Sequence, residues 1–247
     1  MFNYLPSDHT FYNVYFMSTK STSLFEKSRL IQILLELWYN IIYYYQFVIG
    51  KFYKLKNSQS GEKPAVLLIQ GYLGTTLSWS KVRKKLIEDG HPVYVISLGF
   101  QVGSISKKSL KVEKYIEKHN LNNFILVCHS MGGLIGLGLS KQTHQKIIKS
   151  VIIGSPLKGT YMAYLEPFFI ATWQMMPNSN FIKALQKNSF PNANMKIIYA
   201  KFDEIIVPTK FCSLGLEDEH LFNAIGHCNL IMSEAGSSFV LNKIREI

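Results

Sequence analysis

Short apolar runs alternate with amphipathic segments from residue 65 to the end of the chain. The runs are nearly continuous, as is typical of strands buried on both faces of a sheet. They predict strands at 65–69, 93–96, 124–128, 147–153 and 195–200. Segments with helical periodicity predict helices at about 78–89, 107–119, 131–141 and 237–245. Strands that alternate with helices predict a parallel sheet with helices on both faces and active groups at the carboxyl ends of its strands.

The residues before 65 follow a different pattern. Residues 1–28 are polar and aromatic without clear periodicity, and they lack the features of a cleavable signal peptide. An apolar stretch at 30–50 predicts a helix at about 29–53. Gln32, Glu36 and Asn40 recur at every fourth position and so share one face of this helix. A polar linker at 57–64 then separates an N-terminal extension, residues 1–62, from a domain of alternating strands and helices, residues 63–247.

The apolar helix predicts association with a membrane. It is long enough to span a bilayer, but Glu36 near its middle would be costly in lipid. Its tyrosines, and Lys51, Lys54 and Lys56 at its end, favour a position at the membrane interface. The alternative is a helix that packs its apolar face on the domain. We therefore expect a membrane-associated protein that is otherwise cytoplasmic.

Composition and charge narrow the classes of function. The chain has 247 residues, 47% of them hydrophobic, which suits one domain with a large core and is too apolar for disorder. A net charge of +11 would suit nucleic acid or an anionic membrane, but the lysines are scattered, which argues against a nucleic-acid partner. Three cysteines in so long a chain predict no disulfide framework.

The strongest chemical motif lies between the strand at 124–128 and the next helix. A serine lies in a tight turn between small residues in Val127-Cys128-His129-Ser130-Met131-Gly132-Gly133, the pattern of a nucleophile elbow. Larger side chains two positions before or after the serine would collide where strand and helix cross. Gly132 satisfies this need, and Cys128 stands where glycine is usual. Ser130 is therefore the candidate nucleophile.

An elbow serine needs a base, and a carboxylate that orients the base, in the chain order serine, acid, histidine. Only one aspartate, Asp203, directly follows a predicted strand, so it is the favoured acid, with Glu204 as the alternative. His227 lies in a loop between Gly226 and an apolar helix and is the predicted base. His220 lies next to a predicted strand, and we expect a structural role for it.

The reaction also needs backbone donors for the oxyanion of a tetrahedral intermediate. One is the N–H of Met131, directly after the nucleophile. The second is expected from Tyr72, in the turn Gln70-Gly71-Tyr72-Leu73-Gly74, where glycines permit close approach. An ordinary glycine-rich turn is the alternative. This chemistry requires neither a metal nor an organic cofactor.

The motifs resemble those of bacterial α/β-hydrolase lipases and esterases. In that group the first turn contains His-Gly-Tyr or His-Gly-Phe, and the elbow is His-Ser-Met-Gly-Gly. Residues 153–160 and 174–182 are similar to a loop and a cap segment of triacylglycerol lipases. The resemblance covers residue 65 to the C terminus and implies an α/β-hydrolase fold with a cap insertion. Gln70 departs from the usual histidine but leaves the backbone donor of Tyr72 intact.

The cap is predicted at about 160–191. This segment is rich in methionine and aromatic residues, which make a deformable apolar surface suited to acyl chains, although the same residues could instead complete the core. We therefore expect a serine carboxylester hydrolase that acts on lipid-like esters. An acyltransferase with the same triad and a non-catalytic binding protein of this fold are the alternatives. Only Gln70 and Cys128 favour the latter.

Overall fold

A six-stranded sheet forms the centre of the protein. The computed structural model describes residues 28–50, 52–188 and 194–246. The strands are β1 (Val66–Ile69), β2 (Val93–Val95), β3 (Phe124–His129), β4 (Ile147–Ile153), β5 (Met195–Phe202) and β6 (Glu219–Ile225). They lie in the order β2-β1-β3-β4-β5-β6, and every neighbouring pair is parallel. The predicted parallel sheet is therefore confirmed, and β6 is added to it at one edge.

Helices cover both faces of the sheet, as predicted. They are α1 (Arg29–Ile49), α2 (Ser80–Glu88), α3 (Ile105–Lys118), α4 (Met131–Leu137), α5 (Lys141–His144), α6 (Ile170–Met175), α7 (Asn180–Asn188), α8 (Asn229–Met232) and α9 (Glu234–Arg245). Three 3-10 helices lie at Thr76–Trp79, Tyr161–Leu165 and Thr209–Cys212 in the described part of the chain. One apolar core lies under α3, α4 and the cap, and the other lies under α1, α2, α8 and α9.

The helix predicted at 131–141 is divided in two. Helix α4 ends at Leu137, and α5 begins after Ser140, whose hydroxyl accepts a hydrogen bond from the backbone N–H of Thr143. A serine that caps a new helix in this way offers the backbone an alternative to continuing the old one. The prediction of helical structure at 131–141 is therefore correct, but the prediction of one continuous helix is wrong.

The chain reverses its direction across the sheet between β2 and β3. After β1, the chain adds β2 on one side and then returns to place β3 on the other side of β1. The connections that leave β1 and β3 therefore diverge at their carboxyl ends and open a crevice there. Ligands bind at such crossover points in open α/β sheets. The turn after Ile69 and the elbow at Ser130 both lie at this point.

Helix α1 packs on the sheet through a mostly polar stripe. Its buried residues are Gln32, Glu36, Tyr39, Ile42 and Gln46. The apolar residues of the opposite face, which are between 57% and 65% exposed, are Leu30, Leu34, Leu37, Ile41 and Val48. This orientation is the reverse of an apolar face packed on the domain. The contacts also cross the boundary predicted between residues 62 and 63, and residues 1–27 of the predicted extension lie outside the described residues.

The predicted helix at 29–53 ends earlier, at Ile49. Among the residues described by the structure, no helix combines the length and the apolar character needed to cross a membrane.

The predicted cap forms a layer with a buried and an exposed side. It begins with the 3-10 helix at Tyr161–Leu165 and continues through α6 and α7. Ala171, Met175 and Ile182 are buried and belong to the core, as the alternative interpretation expected. Phe168 and Trp173 are 87% and 61% exposed. Residues 189–191 of the predicted cap lie outside the described residues.

Candidate active site

Ser130 lies in a strained turn at the end of β3. Its φ of 57° and ψ of −132° are sparsely populated for a residue with a side chain, and such strain recurs at functional sites. The backbone N–H of Ser130 donates to the carbonyl oxygen of Ile153 on β4, at 2.8 Å, and this bond holds the turn against the sheet. The geometry is that of the nucleophile elbow predicted from the sequence.

Small residues around the elbow allow strand, turn and helix to approach closely. A Cβ atom on Gly132 would lie 2.4 Å from the carbonyl oxygen of Ile69, and one on Gly71 would lie 2.5 Å from the Cβ of Ser130. Cys128 is accommodated because Gly136 lies opposite it, where a Cβ would come within 2.8 Å of the sulfur. The cysteine at this position is therefore compatible with the elbow.

The side chains of Asp203 and His227 are joined by a hydrogen bond. His227 Nδ1 lies 2.8 Å from Asp203 Oδ2, and both residues are buried. Asp203 Oδ1 accepts from the backbone N–H groups of Ile205 and Ile206, at 2.9 and 2.7 Å. These donors orient the carboxylate, and a bond from Nδ1–H to it leaves Nε2 as the nitrogen that can exchange a proton.

The imidazole of His227 lies close to the elbow. The ring lies over Gly154, directly after β4, and a Cβ atom on Gly154 would lie 3.4 Å from it. Strand β4 is the neighbour of β3, which leads into Ser130. No hydrogen bond joins the side chains of these two described residues, Ser130 and His227. Such contacts are often long in unliganded enzymes and tighten when substrate binds.

Two opposing effects determine the charge of His227. Burial lowers its pKa, but the charge of Asp203 and the hydrogen bond to it outweigh burial and raise the pKa to about 9. The neighbouring imidazole of His129, 4.6 Å away between ring centroids, behaves differently. Burial and the charge of His227 hold the pKa of His129 well below its usual range, so His129 packs as a neutral ring.

Glu204 and His220, the other acid and histidine considered for the site, make no hydrogen bond to the ring of His227. The carboxylate of Glu204 accepts from the backbone N–H of His227, at 3.2 Å, and makes no hydrogen bond to its ring. His220 lies on β6 with Nε2 2.6 Å from Asp218 Oδ1, which is consistent with the structural role expected for it. Asp203 is therefore the carboxylate in contact with the candidate base.

The turn after β1 lies beside the elbow through Gly71. Within the described residues, the backbone N–H groups of Tyr72 and Met131 donate to no other residue, so both are available to a bound group. The Tyr72 carbonyl accepts from the hydroxyl of Tyr43, and the Tyr72 hydroxyl donates to Glu166 of the cap, at 2.8 and 2.5 Å. Gln70 links the turn to the residue after β2, because its Nε2 donates to the carbonyl oxygen of Ile96 at 2.9 Å.

The turn after β1 and the loop of His227 both contact residues that the sequence motifs do not mark as part of the site. Helix α1 contributes Tyr43 to the turn and Glu36 to the loop. The regular spacing of polar residues on this apolar helix was the available signal, because it marks one face as different from the others.

Comparisons with known proteins agree with this architecture. A sequence model described as the alpha/beta hydrolase family matches residues 65–165. A monoacylglycerol lipase from Paleococcus ferrophilus has a similar structure, with 15% identity, a TM-score of 0.59 and coverage of 77% of this chain and 96% of the other. No curated protein sequence matches this chain.

Two further solved structures are similar. A Bacillus licheniformis lipase in its mature form has 13% identity, a TM-score of 0.57 and coverage of 75% and 93% of the two chains. An extracellular alpha/beta-hydrolase from a Paenibacillus species has 18% identity, a TM-score of 0.53 and coverage of 73% and 99%. The protein therefore has the α/β-hydrolase fold, as the resemblance implied.

Proposed function

We propose that the protein is a serine carboxylester hydrolase that acts on lipid-like esters. The observation that carries the proposal is the buried hydrogen bond between Asp203 and His227, beside a strained elbow that holds Ser130. A nucleophilic serine requires a base, and the base requires a partner that selects its tautomer. Lipases among the proteins of similar structure support the same class of reaction.

The proposed reaction proceeds in two halves. Ser130 Oγ attacks the ester carbonyl carbon while its proton passes to His227 Nε2. The negative oxygen that forms accepts hydrogen bonds from the N–H groups of Tyr72 and Met131. The C–O bond to the alcohol then breaks, and the alcohol leaves with the proton from His227. Water adds to the acyl group on Ser130 by the same route and releases the acid.

The exposed cap residues support an apolar acyl group as substrate. The side of the cap that carries Phe168, Ile170 and Trp173 is exposed, and Phe169 approaches the ring of Tyr72 beside the elbow, with 6.4 Å between centroids. An apolar surface at the entrance of a site favours an apolar part of the substrate.

The test is Ser130→Ala together with a fluorophosphonate probe. The wild type is expected to hydrolyse p-nitrophenyl esters and to bind the probe covalently, whereas the variant is expected to lose both activities. An ester series of graded chain length, with and without added glycerol, separates hydrolysis from acyl transfer by its products. Full hydrolysis by Ser130→Ala, with no labelling of the wild type, would exclude the proposal.

We further propose that the protein binds a bilayer surface through the outward face of α1. Large apolar residues line that face, and near the C-terminal end of the helix the ring of Phe47 lies 5.6 Å from that of exposed Phe100. Exposed Lys54 and Lys56 follow the helix and suit anionic lipid headgroups. A continuous exposed apolar surface of this kind favours an interfacial partner.

A further inference from the structure

The loop that carries His227 is held through three consecutive backbone N–H groups. The N–H of His227 donates to Glu204 Oε2 at 3.2 Å. The next two, of Cys228 and Asn229, donate to Glu36 Oε1 and Oε2, each at 2.7 Å. Both oxygens of a single carboxyl group on α1 therefore hold the two residues that directly follow the candidate base.

The space around this contact admits the Glu36 carboxyl group closely. Gly226 has a φ of 113°, in the region that favours glycine, and a Cβ there would lie 2.1 Å from Glu36 Oε2. Glu36 itself is only 4% exposed. Glycine at position 226 therefore leaves room for the Glu36 carboxyl group.

A second residue of α1 supports the same segment. Gln32 Oε1 accepts from the backbone N–H of Ile225 at 2.9 Å, and the Gln32 carbonyl accepts from Asn229 Nδ2 at 3.2 Å. The polar stripe of α1 thus supplies hydrogen-bond partners from the end of β6 to the start of α8. Buried backbone groups require such partners.

The contact also extends to the loop of the candidate acid. Asn40 Nδ2 donates to Glu36 Oε1 at 3.0 Å and to Glu204 Oε1 at 3.3 Å, and Glu204 directly follows Asp203. Burial, together with the neighbouring Glu204, raises the pKa of Glu36 to about 9. The two backbone N–H bonds act in the opposite direction, but burial favours the neutral form of Glu36, which can lie beside Glu204 without repulsion.

We propose that Glu36 is a positioning residue for His227: it fixes the loop after the imidazole so that the ring stays against Asp203 and aligned with Ser130. The inference rests on the proposed function, because alignment matters only if His227 is the base. The N-terminal helix would then be a structural part of the active site.

The test compares Glu36→Gln with the wild type and with Ile42→Ala. Glutamine keeps the shape of the side chain but turns an NH2 group towards one of the two backbone N–H groups. We expect kcat to fall by about 10²-fold with KM for a soluble ester unchanged, as for a misplacement of about 1 Å. We also expect the acidic limb of the kcat/KM profile to move to lower pH, because a weaker contact with Asp203 and the loss of the Glu36 carboxyl group both lower the pKa of His227. A moved limb with wild-type kcat would indicate an effect of charge alone and would overturn the inference.

Ile42→Ala is the matched control. It removes a buried apolar side chain from the same face of the helix and keeps all of its polar groups. The thermal midpoint of this variant is expected to fall while the acidic limb stays in place. Equal losses of activity in the two variants, with no movement of the acidic limb, would show that Glu36 has only a structural role. A folded Glu36→Gln variant with the kcat and the acidic limb of the wild type would also overturn the inference.

Two measurements keep the outcomes separate. Labelling of the wild type by the fluorophosphonate probe, and its loss in Ser130→Ala, first decides the proposed function independently of Glu36. If Glu36→Gln has no cooperative thermal transition, amide hydrogen exchange of the wild type decides the inference. Strong protection of the amides of Cys228 and Asn229 is expected, and exchange at the rates of an unstructured peptide would overturn the inference.

Discussion

Three carboxyl groups, of Asp203, Glu204 and Glu36, raise the pKa of His227, and Asp203 has the largest effect among them. The ring is buried, which by itself disfavours the imidazolium ion. Asp203 reverses this preference, and its Oδ1 accepts hydrogen bonds from the N–H groups of Ile205 and Ile206. With a pKa raised to about 9, His227 carries a proton at neutral pH in the free protein and must lose it to act as a base.

Activity should therefore rise with pH. Below about pH 9, the neutral fraction of His227 increases about tenfold per pH unit, and kcat/KM for a p-nitrophenyl ester should follow it. Asp203→Asn removes the charge that raises this pKa, so the acidic limb should move to lower pH while kcat falls by about 10⁴-fold. The measurement is a set of pH–rate profiles for both proteins.

His220→Gln is the control for this prediction. His220 pairs with Asp218 away from the candidate site, so its replacement should leave both the limb and kcat unchanged. An acidic limb at the same pH in the wild type and in Asp203→Asn would contradict the prediction.

Ser130, Asp203 and His227 could be selected from the sequence, whereas Glu36 could not. The elbow has a local pattern, and the scarcity of aspartate left one candidate after a strand. A glutamate on an amphipathic helix is usually solvated. Only the folded chain brings Glu36 next to Cys228 and Asn229, 192 and 193 residues further along.

Helix α1 presents two faces of different chemistry. Its polar stripe faces the protein, and its apolar residues face outward. The periodicity correctly indicated that the two faces differ. It could not indicate which face packs on the domain, because the polar groups find partners in backbone N–H groups of β6 and the following loop, which are distant in sequence.

Replacing outward residues of α1 should weaken membrane binding. The double variant Leu34→Gln/Ile41→Gln keeps residues of good or moderate helix propensity but removes two apolar side chains from the outward face. Each is worth roughly 1.5–3 kcal/mol when fully buried, so binding to vesicles of phosphatidylcholine and phosphatidylglycerol should weaken by about tenfold or more for each. Co-sedimentation with the vesicles measures this.

Leu110→Gln serves as the comparison, because Leu110 is 57% exposed on α3, which covers the opposite face of the sheet. It should leave vesicle binding unchanged. Equal co-sedimentation of the double variant and the wild type would rule out the outward face of α1 as the binding surface.

In the molecule as a whole, α1 and the sheet share one core. Tyr39 and Ile42 are buried with the side chains under α2, α8 and α9. The sequence model of the family begins at residue 65, after this helix. A domain defined from residue 63 onward would therefore lack part of its core and the support of the His227 loop.

Deleting residues 1–50 should destabilise and inactivate the protein. Loss of Tyr39 and Ile42 removes roughly 1.5–3 kcal/mol of apolar burial for each, so the thermal midpoint should fall by about 6 °C or more. Deleting residues 1–27 is the comparison: it keeps α1 and its N-cap Ser28, so it should lower activity and the thermal midpoint by less than the longer deletion. Two truncated proteins with equal activity and equal thermal midpoints would contradict this expectation.

The sequence by itself determined the parallel sheet, the helices on its faces and the candidate residues Ser130, Asp203 and His227. These follow from short-range periodicity and from motifs whose steric needs are local. Only the tertiary structure decided the orientation of α1, the roles open to Glu36 and Glu204 and the division of the helix after Ser130. Those features depend on which distant backbone groups need a hydrogen-bond partner once the chain has folded, and the local pattern of residues carries no record of that need.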